Sequence, residues 1–279
     1  MKSALGNISK YFCIKLTLVA VVSVCLYLVF KDRIEKFSKG NEPVYCMMVT
    51  GKNDDRIDLA RKSVKNFLEQ DYPNKHMIIV NHHPSKNVLI DAPEKPKNIK
   101  EIVVHKNEKI TLGHLRNISL KYVPEGAIWH TWDDDDYRRQ DYISLLYNHM
   151  KSKKASALMI RNRLEYNVET NSSWGSSYSD GFFWYFMYKD DRYQYEEKET
   201  GEDGIIKRNL YADADKKVVV YDNPADIYVR FIHNSNTSRF VKPRQFEPRR
   251  FSKKSKYTEW SVNNTQQIFI EKAKKMFLE

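Results

Sequence analysis

The sequence is poor in cysteine, glycine and proline, and each shortage excludes a class of protein. Three cysteines occur in 279 residues, and Cys13 and Cys25 lie in an apolar N-terminal run, so only Cys46 lies in the rest of the chain. This excludes a disulfide framework. Nine glycines and nine prolines are too few for a collagen-like or low-complexity chain. Hydrophobic residues make up 41% of the sequence, which excludes a disordered tail and is enough for a core.

The charge balance favours anionic partners. The 47 lysines and arginines exceed the 36 aspartates and glutamates, so the formal net charge is +11. Such a surplus suits phosphates, nucleic acid or acidic lipid, and composition does not choose among them. No zinc-ligand spacing and no RNA-binding signature is present, and we therefore expect no nucleic-acid partner.

An apolar run near the N-terminus predicts a membrane anchor. Residues 11–30 read YFCIKLTLVAVVSVCLYLVF, with Lys15 as their only charge. About 20 apolar residues span a bilayer. The alternatives are a cleaved signal peptide, although no small-residue cleavage site follows, or a buried helix. We expect a single-pass, type II signal anchor, preceded by a tail over 1–10 and followed by a stem over 31–42. Lysines and arginines flank both ends, so the positive-inside rule gives no orientation.

From Pro43 onward, strand and helix patterns alternate. Strands are predicted over 44–50, 76–81, 100–105, 127–132, 157–166, 182–188, 217–221 and 226–233. Helices are predicted over 54–70, 112–122, 141–151 and 266–277. Alternation of this kind predicts one α/β domain over 43–279, with a mixed sheet sandwiched by helices.

Four consecutive aspartates, Asp133–Asp136, follow the predicted strand 127–132 and precede a helix. Their mutual repulsion is costly unless a cation or a basic ligand neutralises it. Loops at the carboxyl ends of strands are where open α/β sheets bind ligands. Carboxylates on a tight turn suit Mn²⁺ or Mg²⁺, which take their remaining ligands from substrate phosphates and water. The alternative is a solvated acidic turn at the start of a helix.

Five segments together resemble the family-2 glycosyltransferases of the GT-A fold, of the D-x-D type. The segments are MMVTGKNDDR (47–56), FLEQDYPNKHMIIVN (67–81), GHLRNISL (113–120), HTWDDDDYRRQDYI (130–143) and GEDGIIKRNL (201–210). The resemblance covers about residues 43–235 and is similar to a large-virus or bacterial branch. It implies a Rossmann-like nucleotide-diphospho-sugar transferase domain. Its donor half would be 43–150 and its acceptor half 151–235, with a basic tail and helix over 236–279.

The resemblance also implies roles for individual residues. The nucleotide-sugar would contact Thr50, Gly51, Lys52, Asn81, Arg116, Asn117, Asp133 and Asp134. The metal would be held by Asp133, Asp135 and His233, although a histidine at a strand end is commonly structural. Asp203 would be the general base beside Glu202, and it is also placed to cap a helix. Asn81-His82-His83 stands where the family carries acidic residues that bind uracil, which leaves the donor base open.

The implied reaction is metal-dependent hexosyl transfer from a nucleoside-diphosphate sugar to a hydroxyl of a carbohydrate or glycoconjugate acceptor, with inversion. The chemistry needs a cation for the leaving diphosphate and a base for the acceptor proton. The alternatives are a two-metal nucleotidyltransferase or nuclease and an inactive sugar-binding relative. The basic segment 239–256 could clamp a diphosphate, lie on an anionic membrane or be a solvated arm.

Overall fold

Residues 42–51, 53–89, 96–104, 110–234, 236 and 256–279 are described by the structure, a computed structural model. Outside these ranges lie the predicted anchor 11–30 and Lys52. The predicted stem, apart from Glu42, and the basic segment 239–256, apart from Lys256, also lie outside them. Among the described helices, none is long and apolar enough to cross a membrane. Residues Pro43–Glu279 form one compact unit.

A mixed sheet is at the centre of this unit, as the sequence predicts. Within the described ranges it has seven strands: β1 (Val44–Thr50), β2 (Lys75–Asn81), β3 (Ile99–Val103), β4 (Ile128–Thr131), β6 (Ala157–Ile160), β9 (Tyr185–Tyr188) and β10 (Val218–Tyr221). Their order is β10-β6-β9-β4-β1-β2-β3. Only β9 runs antiparallel to its neighbours, β4 and β6. The carboxyl ends of β1, β2 and β4 therefore meet at one edge.

A second sheet was not predicted. In the described part of the chain it contains β5 (Asp136–Arg138), β7 (Asn162–Asn167), β8 (Ser172–Tyr178), β11 (Tyr228–Ile232) and β12 (Tyr257–Trp260). The order is β12-β8-β7-β11-β5, with β7 and β11 parallel and the other pairs antiparallel. Because β5 directly follows the loop after β4, this sheet begins inside the acidic run.

Helices cover both faces of the central sheet. The described helices are α1 (Asp54–Leu68), α2 (Leu112–Leu120), α3 (Tyr142–Ser152), α4 (Gly204–Ala212) and α5 (Asn264–Phe277). Apolar residues of α1 and α3 pack on one face and those of α2 and α4 on the other, while α5 packs on the second sheet. The helix α1 illustrates the local causes, because the Asn53 side chain accepts a hydrogen bond from the Arg56 amide and caps the helix.

The single strand predicted over 157–166 is wrong, because the segment forms β6 and β7 in different sheets. The Asn223 side-chain oxygen accepts hydrogen bonds from the amides of Arg161 and Asn162, at 2.9 and 3.0 Å. These bonds fix the chain at the point where it crosses between the sheets. The strand predicted over 182–188 also begins later, at Tyr185.

Candidate active site

One cavity of about 510 Å³ lies between the carboxyl end of the central sheet and the second sheet. Both predicted acidic groups line it: the run Asp133–Asp136 and the pair Glu202–Asp203. The site is where open α/β sheets bind ligands, beyond the carboxyl ends of parallel strands. The remaining charged or aromatic lining residues include Arg56, Arg116, Arg163, Arg230, Tyr178, Phe182, Phe183, Trp184, Glu199 and Tyr257.

Arg56, in the first turn of α1, binds two members of the acidic run. Its Nη1 donates to Oδ2 of Asp135 at 2.6 Å, and its Nη2 donates to Oδ1 of Asp134. The Thr50 hydroxyl donates to the other oxygen of Asp134 at 2.6 Å. All four groups are buried or nearly so, and the guanidinium therefore compensates carboxylates that would otherwise repel each other.

Arg116, on α2, links the acidic run to the Glu202–Asp203 pair. Its Nη1 donates to Oε1 of Glu202 at 2.6 Å, and its Nη2 donates to Oδ1 of Asp133 at 3.1 Å. The Trp184 indole N–H donates to the second oxygen of Asp133 at 2.7 Å. Both carboxylate oxygens of Asp133 thus accept a hydrogen bond, and the two acidic groups are fixed at one cavity.

The loop that carries Glu202 and Asp203 is held against α2 by hydrogen bonds to the backbone of the loop. The Asn117 side chain exchanges two hydrogen bonds of 2.8 Å with the backbone of Tyr195. The Gly113 amide donates to the carbonyl of Lys198 at 3.0 Å. A Cβ at Gly113 would lie 1.8 Å from a backbone oxygen of this loop, so only glycine permits the approach.

Asp135 and Asp136 have different surroundings. The Oδ2 of Asp135 lies 3.2 Å from His233 Nε2 and accepts a hydrogen bond from the Asn236 side chain at 2.9 Å. Asp136 accepts from the Tyr228 hydroxyl and, at 3.2 Å, from the Phe231 amide, both on β11. Asp136 therefore fixes β5 against β11, while Asp135 lines the cavity and contacts His233, which does not line it.

Asp134, Asp135 and Asp136 have pKa values shifted in different directions. Burial raises the pKa of Asp134 and of Asp136, and neighbouring aspartates add to the effect. Burial also acts against ionisation of Asp135, but the charges of Arg56 and His233 hold its pKa well below the usual range. Of these three aspartates, Asp135 is therefore the one that keeps its negative charge most firmly.

Asp203 lies at the N-cap position of α4, but its side chain makes no capping hydrogen bond. The Tyr185 hydroxyl donates to its backbone carbonyl at 2.7 Å, which positions the residue. Burial, with a contribution from the Glu202 charge and opposed by Arg116, raises the pKa of Asp203 to about 6. A carboxylate with such a pKa is suited to accept a proton near neutral pH.

Four predicted nucleotide contacts do not line the cavity: Thr50, Gly51, Asn81 and Asn117. The Asn81 side chain donates to the Lys86 carbonyl and to Glu101, and its oxygen accepts from the His83 amide. Gly51 has φ +99, and a Cβ there would lie 2.2 Å from the Asn81 side-chain oxygen. Gly51 and Asn81 therefore shape the loops after β1 and β2, and Lys52 lies outside the described residues.

The fold is similar to that of TarS from S. aureus. A crystal structure of TarS 1–349 matches with a TM-score of 0.52 at 15% identity, over 68% of this chain and 60% of that chain. Its complex with UDP-GlcNAc matches with a TM-score of 0.53 at 14% identity, over 71% of this chain and 62% of that chain. The two chains thus share a mixed α/β fold with a central mixed sheet.

The similarity to TarS is a similarity of fold, and this chain aligns with only part of TarS. The chain spans about 60% of the solved TarS 1–349 fragment and 37% of the longer TarS chain. No family profile matches the sequence, and no curated protein matches it. The TarS fragment has also been solved in complex with UDP, with a TM-score of 0.53 at 17% identity.

The spacing of Asp135 and His233 can be compared with that of two ligands of a divalent cation. Cis ligands of an octahedral ion at about 2.1 Å lie about 3 Å apart, close to the 3.2 Å between Asp135 Oδ2 and His233 Nε2. Within the described ranges, no group of three or more His, Cys, Asp or Glu side chains is arranged as a metal cage. In phosphate-binding sites, Mg²⁺ is usually held by one or two carboxylates together with phosphates and water. Arg56 competes for the same oxygen of Asp135.

Sequence reasoning missed the roles of Arg56, Trp184 and Asn236. Each one donates a hydrogen bond to an aspartate of the run from a distant part of the chain. Arg56 stands inside the MMVTGKNDDR segment, three positions after the helix cap. A buried acidic run needs a basic partner. A basic residue shortly after β1, the strand that pairs with β4, is a signal that could have identified Arg56.

Proposed function

We propose that this protein is a metal-dependent glycosyltransferase that moves a sugar from a nucleoside-diphosphate sugar to an acceptor hydroxyl, with inversion. The observation that carries the proposal is the Arg116 bridge, which fixes the acidic run and the Glu202–Asp203 pair at one cavity. In this proposal, the carboxylates assigned to the cation and to the general base lie at the same cavity. The UDP-GlcNAc complex of TarS supports a nucleotide-sugar donor.

The proposed division of roles follows from the contacts. Asp135 and His233 would hold Mn²⁺ or Mg²⁺, which when bound supplies positive charge to the leaving diphosphate. Asp203 takes the proton of the acceptor hydroxyl. At the same time, the acceptor oxygen forms a bond to the anomeric carbon, and the bond from that carbon to the diphosphate oxygen breaks, which releases the nucleoside diphosphate. Arg116 and Trp184 position Asp133, and Arg116 also positions Glu202. The resemblance in sequence supports the same assignment of base and cation ligand.

Calorimetric titration with nucleoside diphosphates tests the donor class. We expect at least one of UDP, GDP, ADP and dTDP to bind with a stoichiometry of one and to bind more tightly with Mn²⁺. Asp135→Asn should remove the Mn²⁺ effect, whereas Asp58→Asn, at an exposed surface ion pair with Arg61, should leave it unchanged. Absence of binding for all four nucleotides would contradict the proposal.

The raised pKa of Asp203 predicts an acid limb in the pH profile. Below about pH 6 the carboxyl is protonated and cannot accept a proton, so kcat/KM should fall about tenfold per pH unit. As pH rises through about 6, the rate should rise and level off. Measuring kcat/KM between pH 4.5 and 8 at saturating Mn²⁺ checks this. The same limb retained in Asp203→Asn would assign the titration to another group.

We also propose that residues 11–30 anchor the protein in a membrane as a single-pass segment. The compact unit begins at Pro43, which supports an anchor that is separable from the catalytic domain. Deleting residues 1–40 should therefore yield a soluble protein with a cooperative thermal transition. Sedimentation with vesicles, compared between the full and the truncated chain, measures the anchoring. An aggregated truncation without a cooperative transition would place the domain boundary elsewhere.

A further inference from the structure

Two arginines on the second sheet, Arg163 and Arg230, line the cavity. Neither forms ion pairs with two carboxylates, as Arg56 and Arg116 do. Arg230, on β11, lines the cavity, and no described residue accepts a hydrogen bond from its guanidinium. Arg163, on β7, donates from Nε and Nη2 to Oε1 of Glu165 at 3.0 and 2.8 Å. Its Nη1 has no such partner among the described residues and remains available to a ligand.

Glu165 is the only described carboxylate that forms an ion pair with this arginine pair. It is 2% exposed and lies on β7 two residues from Arg163. Although burial acts to raise its pKa, the charges of Arg163 and Arg230 lower it, so Glu165 is ionised beneath both guanidinium groups. Arg230 lies opposite Asp136 in the register of β11 and β5 and also feels the charges of Asp135 and Asp136, although it makes no ion pair with a described carboxylate. Arg56 and Arg116, in contrast, each bind two carboxylates.

The two arginines share their wall of the cavity with aromatic side chains. The Arg163 guanidinium carbon lies 3.9 Å from the Phe182 ring centre and 4.9 Å from that of Trp184. Tyr178 and Tyr257, on β8 and β12, line the same wall. Flat aromatic faces suit sugar rings, and all of these residues follow the acidic run in sequence. The wall therefore combines surfaces for a sugar with donors for an anion.

From this arrangement, we infer that the acceptor is an anionic carbohydrate, whose carboxylate or phosphate group is bound by Arg163 and Arg230. Planar guanidinium groups bind both kinds of anion through paired, charge-assisted hydrogen bonds. The inference rests on the proposed glycosyl transfer, since it concerns the second substrate of the same cavity. Glu165 would act as the positioning residue that holds the two arginines in place.

The test compares anionic and neutral sugars on the full chain with Mn²⁺ and a saturating nucleoside diphosphate, which blocks binding at the donor site. Glucuronate, glucose 6-phosphate and glucose are titrated separately, followed by Trp fluorescence. We expect at least one anionic sugar to bind about tenfold or more tightly than glucose. Preference for glucuronate would identify a carboxylate, and preference for glucose 6-phosphate a phosphate.

Arg230→Gln should abolish the preference without changing glucose binding, and Arg230→Lys should retain part of it. Arg192→Gln is the matched control, because Arg192 is an exposed arginine paired with Asp190 outside the cavity. Thermal unfolding of each variant establishes that it is folded. Because Glu165 keeps Arg163 as a partner in Arg230→Gln, we expect little loss of stability.

Three results would overturn the inference. The first is equal binding of glucose and both anionic sugars, and the second is a Kd weaker than about 50 mM for both anionic sugars. The third is weaker nucleoside-diphosphate binding in Arg230→Gln, which would show that Arg230 belongs to the binding site of the nucleotide-sugar donor. The nucleotide titration of the wild-type chain is separate, so failure of the proposed function is recognised by the absence of nucleotide binding.

Discussion

Replacing Asp203 by asparagine is expected to lower the rate of sugar transfer by about 10²–10⁴. Asparagine keeps the size of the side chain but cannot take the acceptor proton. Nucleotide-sugar affinity should change little, since a general base acts in the transition state and contributes little to ground-state donor binding. Because the Asp203 side chain makes no capping hydrogen bond, the loss of stability should stay below about 1 kcal/mol. Single-turnover rates, donor titration and thermal unfolding measure the three quantities.

Glu202→Gln is the informative comparison. Glu202 binds Arg116 and is almost fully buried, so its replacement should disturb the position of Arg116 and reduce the rate less than Asp203→Asn does. Asp58→Asn, at an exposed ion pair, controls for the loss of one carboxylate. If Asp203→Asn kept more than a tenth of the wild-type rate while Glu202→Gln abolished transfer, the base would be Glu202.

Asp135→Asn is expected to raise the Mn²⁺ concentration needed for half-maximal activity by at least about 100-fold. Asp135 keeps its charge and lies 3.2 Å from His233, which makes it the ligand of the run that we assign to the cation. Asp136→Asn should instead destabilise the fold, because Asp136 joins β5 to β11. Metal titrations of activity and urea unfolding curves separate the two effects.

Chelation gives an independent check of the same assignment. Excess EDTA should abolish transfer by the wild-type protein, and added Mn²⁺ or Mg²⁺ should restore it. Full turnover in excess EDTA would contradict the metal dependence. A larger metal effect in Asp136→Asn than in Asp135→Asn would show that the assignment within the run is shifted by one residue.

The central sheet could be predicted because its strands are short apolar runs that alternate with amphipathic helices. VYCMMVT and KHMIIVN are buried along nearly their whole length. The second sheet has no such signal. Its strand β8 reads SSWGSSY, and β5 is three residues long and begins with an aspartate. Such strands are stabilised by pairing and by polar contacts across the chain, and local hydrophobic patterns do not reveal them.

Sequence patterns predicted the charged residues of the site that follow strands or lie in recognisable motifs. Asp133–Asp135, Arg116, Glu202 and Asp203 do line one cavity. The partners of these groups were not predictable, because the Trp184 and Asn236 side chains reach the run from 51 and 101 positions away. Asn81 and Asn117, which stand in motif positions, bind neighbouring loops instead. A motif gives the residue type at a position, and the tertiary contacts decide where the side chain points.

The most direct test of the central claim is the release of nucleoside diphosphate from a panel of nucleotide-sugars by the full chain. The panel contains UDP-, GDP-, ADP- and dTDP-linked hexoses and is assayed with Mn²⁺, with and without an acceptor. The account predicts release from at least one donor, matched one-to-one by sugar transferred or hydrolysed, and lost in Asp203→Asn with an acceptor present. No release from any donor by a folded, Mn²⁺-loaded protein that binds nucleoside diphosphate would contradict it.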